Sequence, residues 1–247
     1  MPRAILLPLS CLVACTYPSF TATKTVELDV PAATVQRLRC TSHNGAIVIR
    51  RGAADDSVHL RVRMEAPGVT QAEADDNLNL LSVVHAVDGD LLDVHGEYPQ
   101  NAFTMRTPGF EFTLDVPERI AALLETHNGD IRVDGIVGAV EATTHNGGIS
   151  GELRGAHVVA ATHNGGIDAT LGDAVADGSL TTHNGTVSVT LAANASTWIE
   201  ANTHNGTIRL PAGATEATVS EDHARCRIGD GRGKLVVETH NGNVVVR

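Results

Sequence analysis

The 247-residue sequence is poor in aromatic side chains: one Trp, two Tyr and four Phe make up 3% of the chain. Carbohydrate sites stack sugars on aromatic rings and single-stranded nucleic-acid sites stack bases on them, so this scarcity argues against both. Cations are also in deficit, with 18 Lys and Arg against 29 Asp and Glu and a formal charge of −11. An acidic surface repels phosphate backbones, which disfavours nucleic acid and anionic membrane surfaces as partners. The N-terminal apolar run, residues 4–13, has ten residues, far short of the roughly 20 that a spanning helix requires. No long stretch repeats with a period of 3.6. What is present is 24 Gly and 42% apolar residues, the composition of a β-rich, turn-rich chain that can bury a core.

The first residues read as an address. A short positive start at Arg3 and the apolar run of residues 4–13 have the build of a secretory signal. The run ends in Leu12-Val13-Ala14-Cys15, which resembles the bacterial lipobox, where small residues are cleaved and the following Cys thiol receives diacylglycerol. The expected division is residues 1–14 as a lipoprotein signal peptide, 15–35 as lipidated Cys15 and a short tether, and 36–247 as the folded domain. Thr16 after the Cys resembles lipoproteins sent to the outer membrane, facing the periplasm or the outside. Beyond Cys15 the mature chain holds only Cys40 and Cys226, so one bridge is the single intramolecular option.

A tetrapeptide recurs seven times: Ser42-His43-Asn44-Gly45, then Thr-His-Asn-Gly from Thr126, Thr144, Thr162, Thr182, Thr203 and Thr239. The His-to-His steps are 84, 18, 18, 20, 21 and 36 residues, a period near 20 that indicates a solenoid. The last step is twice 18, which predicts a coil without the signature near residues 219–230. Apolar residues alternate on both sides of the motif, as in Leu38 and Cys40 before it and Ile47 and Ile49 after it, so each coil reads as strand, tight turn, strand. The turn residues are Asn44-Gly45, Asn128-Gly129, Asn146-Gly147, Asn164-Gly165, Asn184-Gly185, Asn205-Gly206 and Asn241-Gly242, chosen because Asn-Gly accepts positive φ. Parity places the Thr inward and the His outward, and stacked Asn side chains can form an amide ladder. The expected fold is all-β: a single-stranded parallel β-helix, right-handed, with about 18–21 residues per coil. Residues 51–117 lack the tetrapeptide and predict irregular strands or a cap, with a hairpin at residues 82–95 and a short helical turn at 72–77; residues 118–247 are the regular coils. On this reading Cys40 is a small core residue, and Cys226 lies far along the axis from it, which argues against a bridge.

The segment Leu114-Asp115-Val116-Pro117, followed by Leu124-Glu125-Thr126-His127-Asn128-Gly129-Asp130-Ile131, resembles the bacterial "putative adhesin" family of β-strand repeats, a domain of unknown function. The resemblance covers residues 36–247 and implies a cell-envelope β-helix. It supplies no catalytic residues to carry over. This sequence departs from the family pattern in placing His before Asn in every clear coil.

The His column is the one constellation with a chemistry of its own. His127, His145, His163, His183 and His204, outward at strand spacing, are candidates to share a transition-metal ion. The competing account is a compatible turn residue copied as the repeat duplicated. Asp130, Asp134, Glu141, Glu152 and Asp168 lie near one another in sequence, as the carboxylates of a polysaccharide-acting β-helix enzyme would, but they form no column. Asp88-Gly89-Asp90 and Asp230-Gly231 read as turns rather than calcium loops. The Thr column raises a further idea, an array fitted to ice or another periodic surface. The final residues, Val244 to Val246, read as an exposed edge strand through which two molecules pair or an envelope partner docks. The sequence thus points to a non-catalytic, lipid-anchored envelope protein whose solenoid is a binding surface or scaffold, with no cofactor. A metal-binding envelope protein is the alternative, and a polysaccharide-acting enzyme the remote one.

Overall fold

A computed structural model describes residues 18–52, 56–103, 106–172 and 177–247. The expected signal segment, residues 1–14, and Cys15 lie outside the described residues. Alternating burial builds β1 (Phe20–Pro31), β2 (Arg37–Asn44), β3 (Ile47–Arg51) and β4 (Ser57–Gly68), then the helix α1 (Gln71–Leu78), β5 (Ser82–Asp88), β6 (Leu91–Glu97) and β7 (Gly109–Val116). The repeating part supplies β8 (Ala121–Asn128) and β9 (Ile131–Ile136), β10 (Val140–Asn146) and β11 (Ile149–Leu153), β12 (His157–Asn164) and β13 (Ile167–Leu171), and β14 (Asp177–Asn184) and β15 (Val187–Leu191). The C-terminal part adds β16 (Thr197–Asn205), β17 (Ile208–Arg209), β18 (Thr215–Val219), β19 (His223–Ile228), β20 (Gly233–Asn241) and β21 (Val244–Val246).

These strands form two large, mostly parallel sheets. The first runs β1-β4-β7-β3-β9-β11-β13-β15-β21-β17, and the second β18-β19-β16-β20-β14-β12-β10-β8-β2-β6-β5. Each motif turn carries the chain from the second sheet to the first, and successive coils pair in parallel with motif residues opposite their copies, as Thr144 with Thr162 and Asn146 with Asn164. The alternation read from sequence holds: Leu38, Cys40, Ile47 and Ile49, with their counterparts Leu124, Ile131 and Val133, are buried in one continuous core.

Coil order departs from chain order at both ends. The coil β20–β21 lies between β14–β15 and β16–β17, so no signature-free coil fills the 36-residue step. Residues 208–232 instead run through β17 and the antiparallel hairpin β18–β19, which continues the second sheet beyond β16. At the other end the coil β2–β3 lies between β8–β9 and β6–β7, the latter being a coil without the tetrapeptide. Antiparallel strands β1 and β4 on the first sheet and β5 on the second complete this end, including the expected hairpin. The helical turn is α1, capped by Thr70 and packed through buried Ala74.

Two expectations are corrected here. The supposed tether supplies β1, twelve residues paired with β4 from Phe20 opposite Gly68 to Pro31 opposite Ser57. The C-terminal strand β21 is no edge, because β15 and β17 flank it on either side, so it offers no open strand for self-pairing. The edges are β1 and β17 in one sheet and β18 and β5 in the other. Exposed β18 carries a register shift and Glu216 at φ 50°, a kink that spoils it as a pairing template. Cys40 and Cys226 are both free and buried. Six strands separate β2 from β19, so seven inter-strand spacings place the two thiols roughly 34 Å apart.

Candidate functional site: the corner file

Each residue of the tetrapeptide owes its identity to its copy in the next coil. The Thr side chains point inward and are buried, and each hydroxyl donates to a glycine carbonyl one coil away. Thr144 donates to Gly129 at 2.9 Å, Thr162 to Gly147 at 2.8 Å, Thr182 to Gly165 at 2.8 Å, Thr239 to Gly185 at 2.8 Å and Thr203 to Gly242 at 2.8 Å. Ser42 takes the same place in the first motif, donating to the Phe110 carbonyl at 2.9 Å. Buried hydroxyls engaged in this way cannot serve an ice-like surface.

Asn side chains form an unbroken amide ladder. Asn128 donates to Asn44 at 2.7 Å, and Asn146 to Asn128, Asn164 to Asn146, Asn184 to Asn164, Asn241 to Asn184 and Asn205 to Asn241 all at 2.8 Å. Asn44 closes the row by donating to Thr107 and to the Pro108 carbonyl, so residues 107–110 stand in for a missing motif. The glycine is needed for close approach more than for positive φ. A Cβ on Gly147 would lie 2.0 Å from the Gly129 carbonyl oxygen, and one on Gly165 equally close to that of Gly147. No motif Asn has positive φ; among the described residues other than glycine only Glu216 does.

With Thr, Asn and Gly so engaged, the His side chains are left outward and exposed. They stack face to face in the order His43, His127, His145, His163, His183, His240, His204. Centroid separations are 5.0, 4.7, 4.8, 4.7, 4.7 and 4.7 Å, and the planes diverge by 2–4° at three steps, 8° at one and 25–26° at the other two. The expected column of five is therefore seven. His240 separates His183 from His204, and His43 joins at the far end; both carry the full motif signal, and only the assumption of chain order left them out.

As they stand, near-parallel rings at this spacing direct their in-plane lone pairs side by side rather than toward one point. Among the described residues no group of three or more His, Cys, Asp or Glu side chains could hold a metal ion. The carboxylates singled out from sequence are spread over both sheets. Asp134 and Glu152 are neighbours on β9 and β11 but pair with Arg132 at 2.7 Å and Arg154 at 2.5 Å. Asp130 accepts the Gly148 N–H at 2.7 Å, Asp168 stands opposite Ser150, and Glu141 lies on β10 in the other sheet. Asp90 is held by Arg37 at 2.6 Å and Asp230 by Arg232 at 2.7 Å, as expected of turns.

A shallow groove of about 540 Å³ runs beside the file, lined by Thr41, Thr143, Ala161 and Thr181 with His127, His145 and His163, and carrying one carboxylate, Glu125, at its His127 end. At the His43 end it meets a second cavity of about 830 Å³ containing Arg39, Asp93, His95, Glu97 and Glu125. Arg39 grips Asp93 through two hydrogen bonds of 2.9 and 2.8 Å, and this contact holds the Asp93 carboxyl below its ordinary range.

The family model described as Toastrack DUF4097 matches residues 10–247. No curated protein matches the chain. Among solved structures, a "putative cell adhesion protein" from Clostridium sporogenes is similar at 12% identity, covering 91% of this chain and 99% of its own, with a TM-score of 0.49. A "putative adhesin" from Bacteroides fragilis is similar at 9% identity, 91% and 97% coverage and a TM-score of 0.40. A "putative lipid binding protein" from Parabacteroides distasonis follows at 10% identity, 90% and 96% coverage and a TM-score of 0.29.

Proposed function

The chain belongs to the Toastrack DUF4097 family, a family of unknown function, and from that premise we propose that it is a non-catalytic envelope lipoprotein whose stacked coils act as a binding surface or scaffold. The observation that carries the binding reading is the register of the corners: seven coils present the same His and Asn side chains at one interval along a common line. A surface ruled in this way suits a long ligand or partner lying along the axis, because each contact recurs at every coil. Thr hydroxyls and Asn amides already satisfied by their own copies favour a rigid strip over an adaptable one.

The anchor is argued from sequence: a ten-residue apolar run closing in Ala14-Cys15 supplies the thiol to be acylated. In an envelope-bearing bacterial host, a clickable fatty acid should label the chain and hold it in the membrane fraction, and Cys15→Ser should lose the label and the retention. Unlabelled wild-type chain, or label that survives Cys15→Ser, would overturn the anchor. The binding surface is tested separately, by whether purified envelope fragments retain the wild-type protein and lose it when outward residues of the file are replaced.

A further inference from the structure

We propose that the imidazole file is a proton-gated stripe for a linear polyanion with about one negative charge per repeat, such as a polyuronate, held by charge at the ring edges and not by the aromatic stacking that the few Trp, Tyr and Phe argue against. The inference deepens the binding surface proposed above and rests on it, since it names the ligand class of that strip.

Three observations carry it. First, the seven rings form one continuous stack at 4.7–5.0 Å, so the faces of the five inner rings are occupied by their neighbours and those rings present their edges to solvent. A ring edge offers an N–H donor, and a protonated ring offers two together with a positive charge. Second, the central coils leave the charge of the strip to the imidazoles alone. The outward residues two places before His145, His163 and His183 are Thr143, Ala161 and Thr181, and on the turn side stand the ladder asparagines, then Gly148, Gly166 and Thr186. Third, the groove lined by those threonines runs parallel to the file and gives a chain-like ligand a bed along the axis.

Carboxylates border this window on either side: Glu125 stands opposite Thr143 and lines the same groove, Asp130 accepts the Gly148 N–H, and Glu238 stands opposite Thr181. Glu125 and Asp130 flank His127, and Glu238 flanks His240. Arg39, Asp93, His95 and Glu97 share the cavity at the His43 end. At the opposite end Glu238 accepts from Asn202, whose side-chain oxygen lies 2.7 Å from Nδ1 of His223. With its rings neutral the window carries no positive charge within an acidic molecule and has no attraction for an anion. On acidification the rings charge, but adjacent charges at this spacing repel. A row of anions laid along the edges relieves that repulsion, so binding and protonation reinforce each other: the polyanion draws protons onto the file, and protons draw the polyanion. A polymer with one charge per repeat places anions along the whole line, which an isolated carboxylate cannot do.

The test uses the full chain without an affinity tag, polygalacturonate as probe and its fully methyl-esterified, neutral form as control, by titration calorimetry at pH 5.0 and 7.5. The expected result is binding of polygalacturonate at least ten-fold tighter at pH 5.0, proton uptake revealed by heats that depend on the ionisation enthalpy of the buffer, and no binding of the ester. Replacing His145, His163 and His183 together by Gln, a residue able to continue a stacked amide row, should at least halve both the pH dependence and the proton uptake, since only the four outer rings remain. Glu125→Gln with Glu238→Gln should strengthen binding at pH 5.0 two- to three-fold, and this variant decides the matter if the His replacements prevent folding. Absence of binding at pH 5.0, equal binding of the ester, proton uptake undiminished by the triple replacement, or no gain from the Glu replacements would each overturn the proposal. None of these outcomes bears on acylation at Cys15 or on retention by envelope fragments.

Discussion

The repeating coils and the two ends of the molecule hold together by different means. In the coils one tetrapeptide is reused, and each of its residues touches its own copy: Thr reaches a Gly carbonyl, Asn reaches Asn, His lies on His. At the ends the contacts join unlike partners. Arg37 and Arg39 pair with Asp90 and Asp93, Thr107 and Pro108 take the place of an Asn, and Arg225 lies 4.6 Å from the ring of Trp198. A repeated contact fixes the spacing of a stack but has no means of stopping it. Termination needs unlike strands, and the antiparallel β1, β4, β5 and β18–β19 provide them.

The largest expected effect breaks this contrast at its tightest point. Gly165→Ala would set a Cβ 2.0 Å from the Gly147 carbonyl oxygen between two sheet-bound backbones, and denaturant unfolding should show a loss of at least ~3 kcal/mol. Gly213→Ala, where no atom lies within 4 Å of the added methyl, should change stability by no more than ~0.5 kcal/mol. Similar losses at the two positions would contradict the account of the motif glycine.

Next in size is Asn164→Ala, which removes two ladder bonds and should cost about 1–2 kcal/mol, while Thr162→Val, losing a single hydroxyl bond, should cost about 1 kcal/mol. The cysteines sharpen the contrast kinetically. Burial raises the pKa of both thiols, so neither should react with a thiol reagent until its strand opens. Cys226, in the terminal hairpin, should be labelled faster than Cys40, which lies between β6 and β8. Equal rates would mean that the end does not fray ahead of the stack. The smallest effect is on pH dependence. The hydrogen bond from Arg39 lowers the Asp93 pKa in the folded chain, so its contribution is present above the unfolded value near 4 and is lost as pH falls through the folded one. Asp93→Asn should slightly flatten the acid limb of a stability curve below about pH 4, an effect limited by exposure of the pair.

Much of the fold is legible in the sequence because alternation and repetition are local. The burial of Leu38, Leu124 and Ile131, the outward His and the Asn ladder all follow from parity about the motif. Coil order is not legible, for a physical reason: identical corners pair equally well with any copy, so motif spacing carries no record of which coil lies beside which. The detour through β18–β19 that returns β20 beside β14 is long-range, as is the pairing of β1 with β4. The same ambiguity hid His43 and His240 from the candidate site.

The central claim is that equivalent corners lie in one file with the last coil inserted before its end. Disulfide trapping tests it directly, using cysteine pairs at 183 and 240, 240 and 204, and 183 and 204, with Cys40 and Cys226 replaced. In-register neighbours in paired strands stand about 4.8 Å apart, within disulfide reach, whereas positions two strands apart are separated by about 10 Å. The account predicts rapid oxidation of the 183–240 and 240–204 pairs and none of 183–204; ready bridging of 183 to 204 with no bridge from 183 to 240 would contradict it.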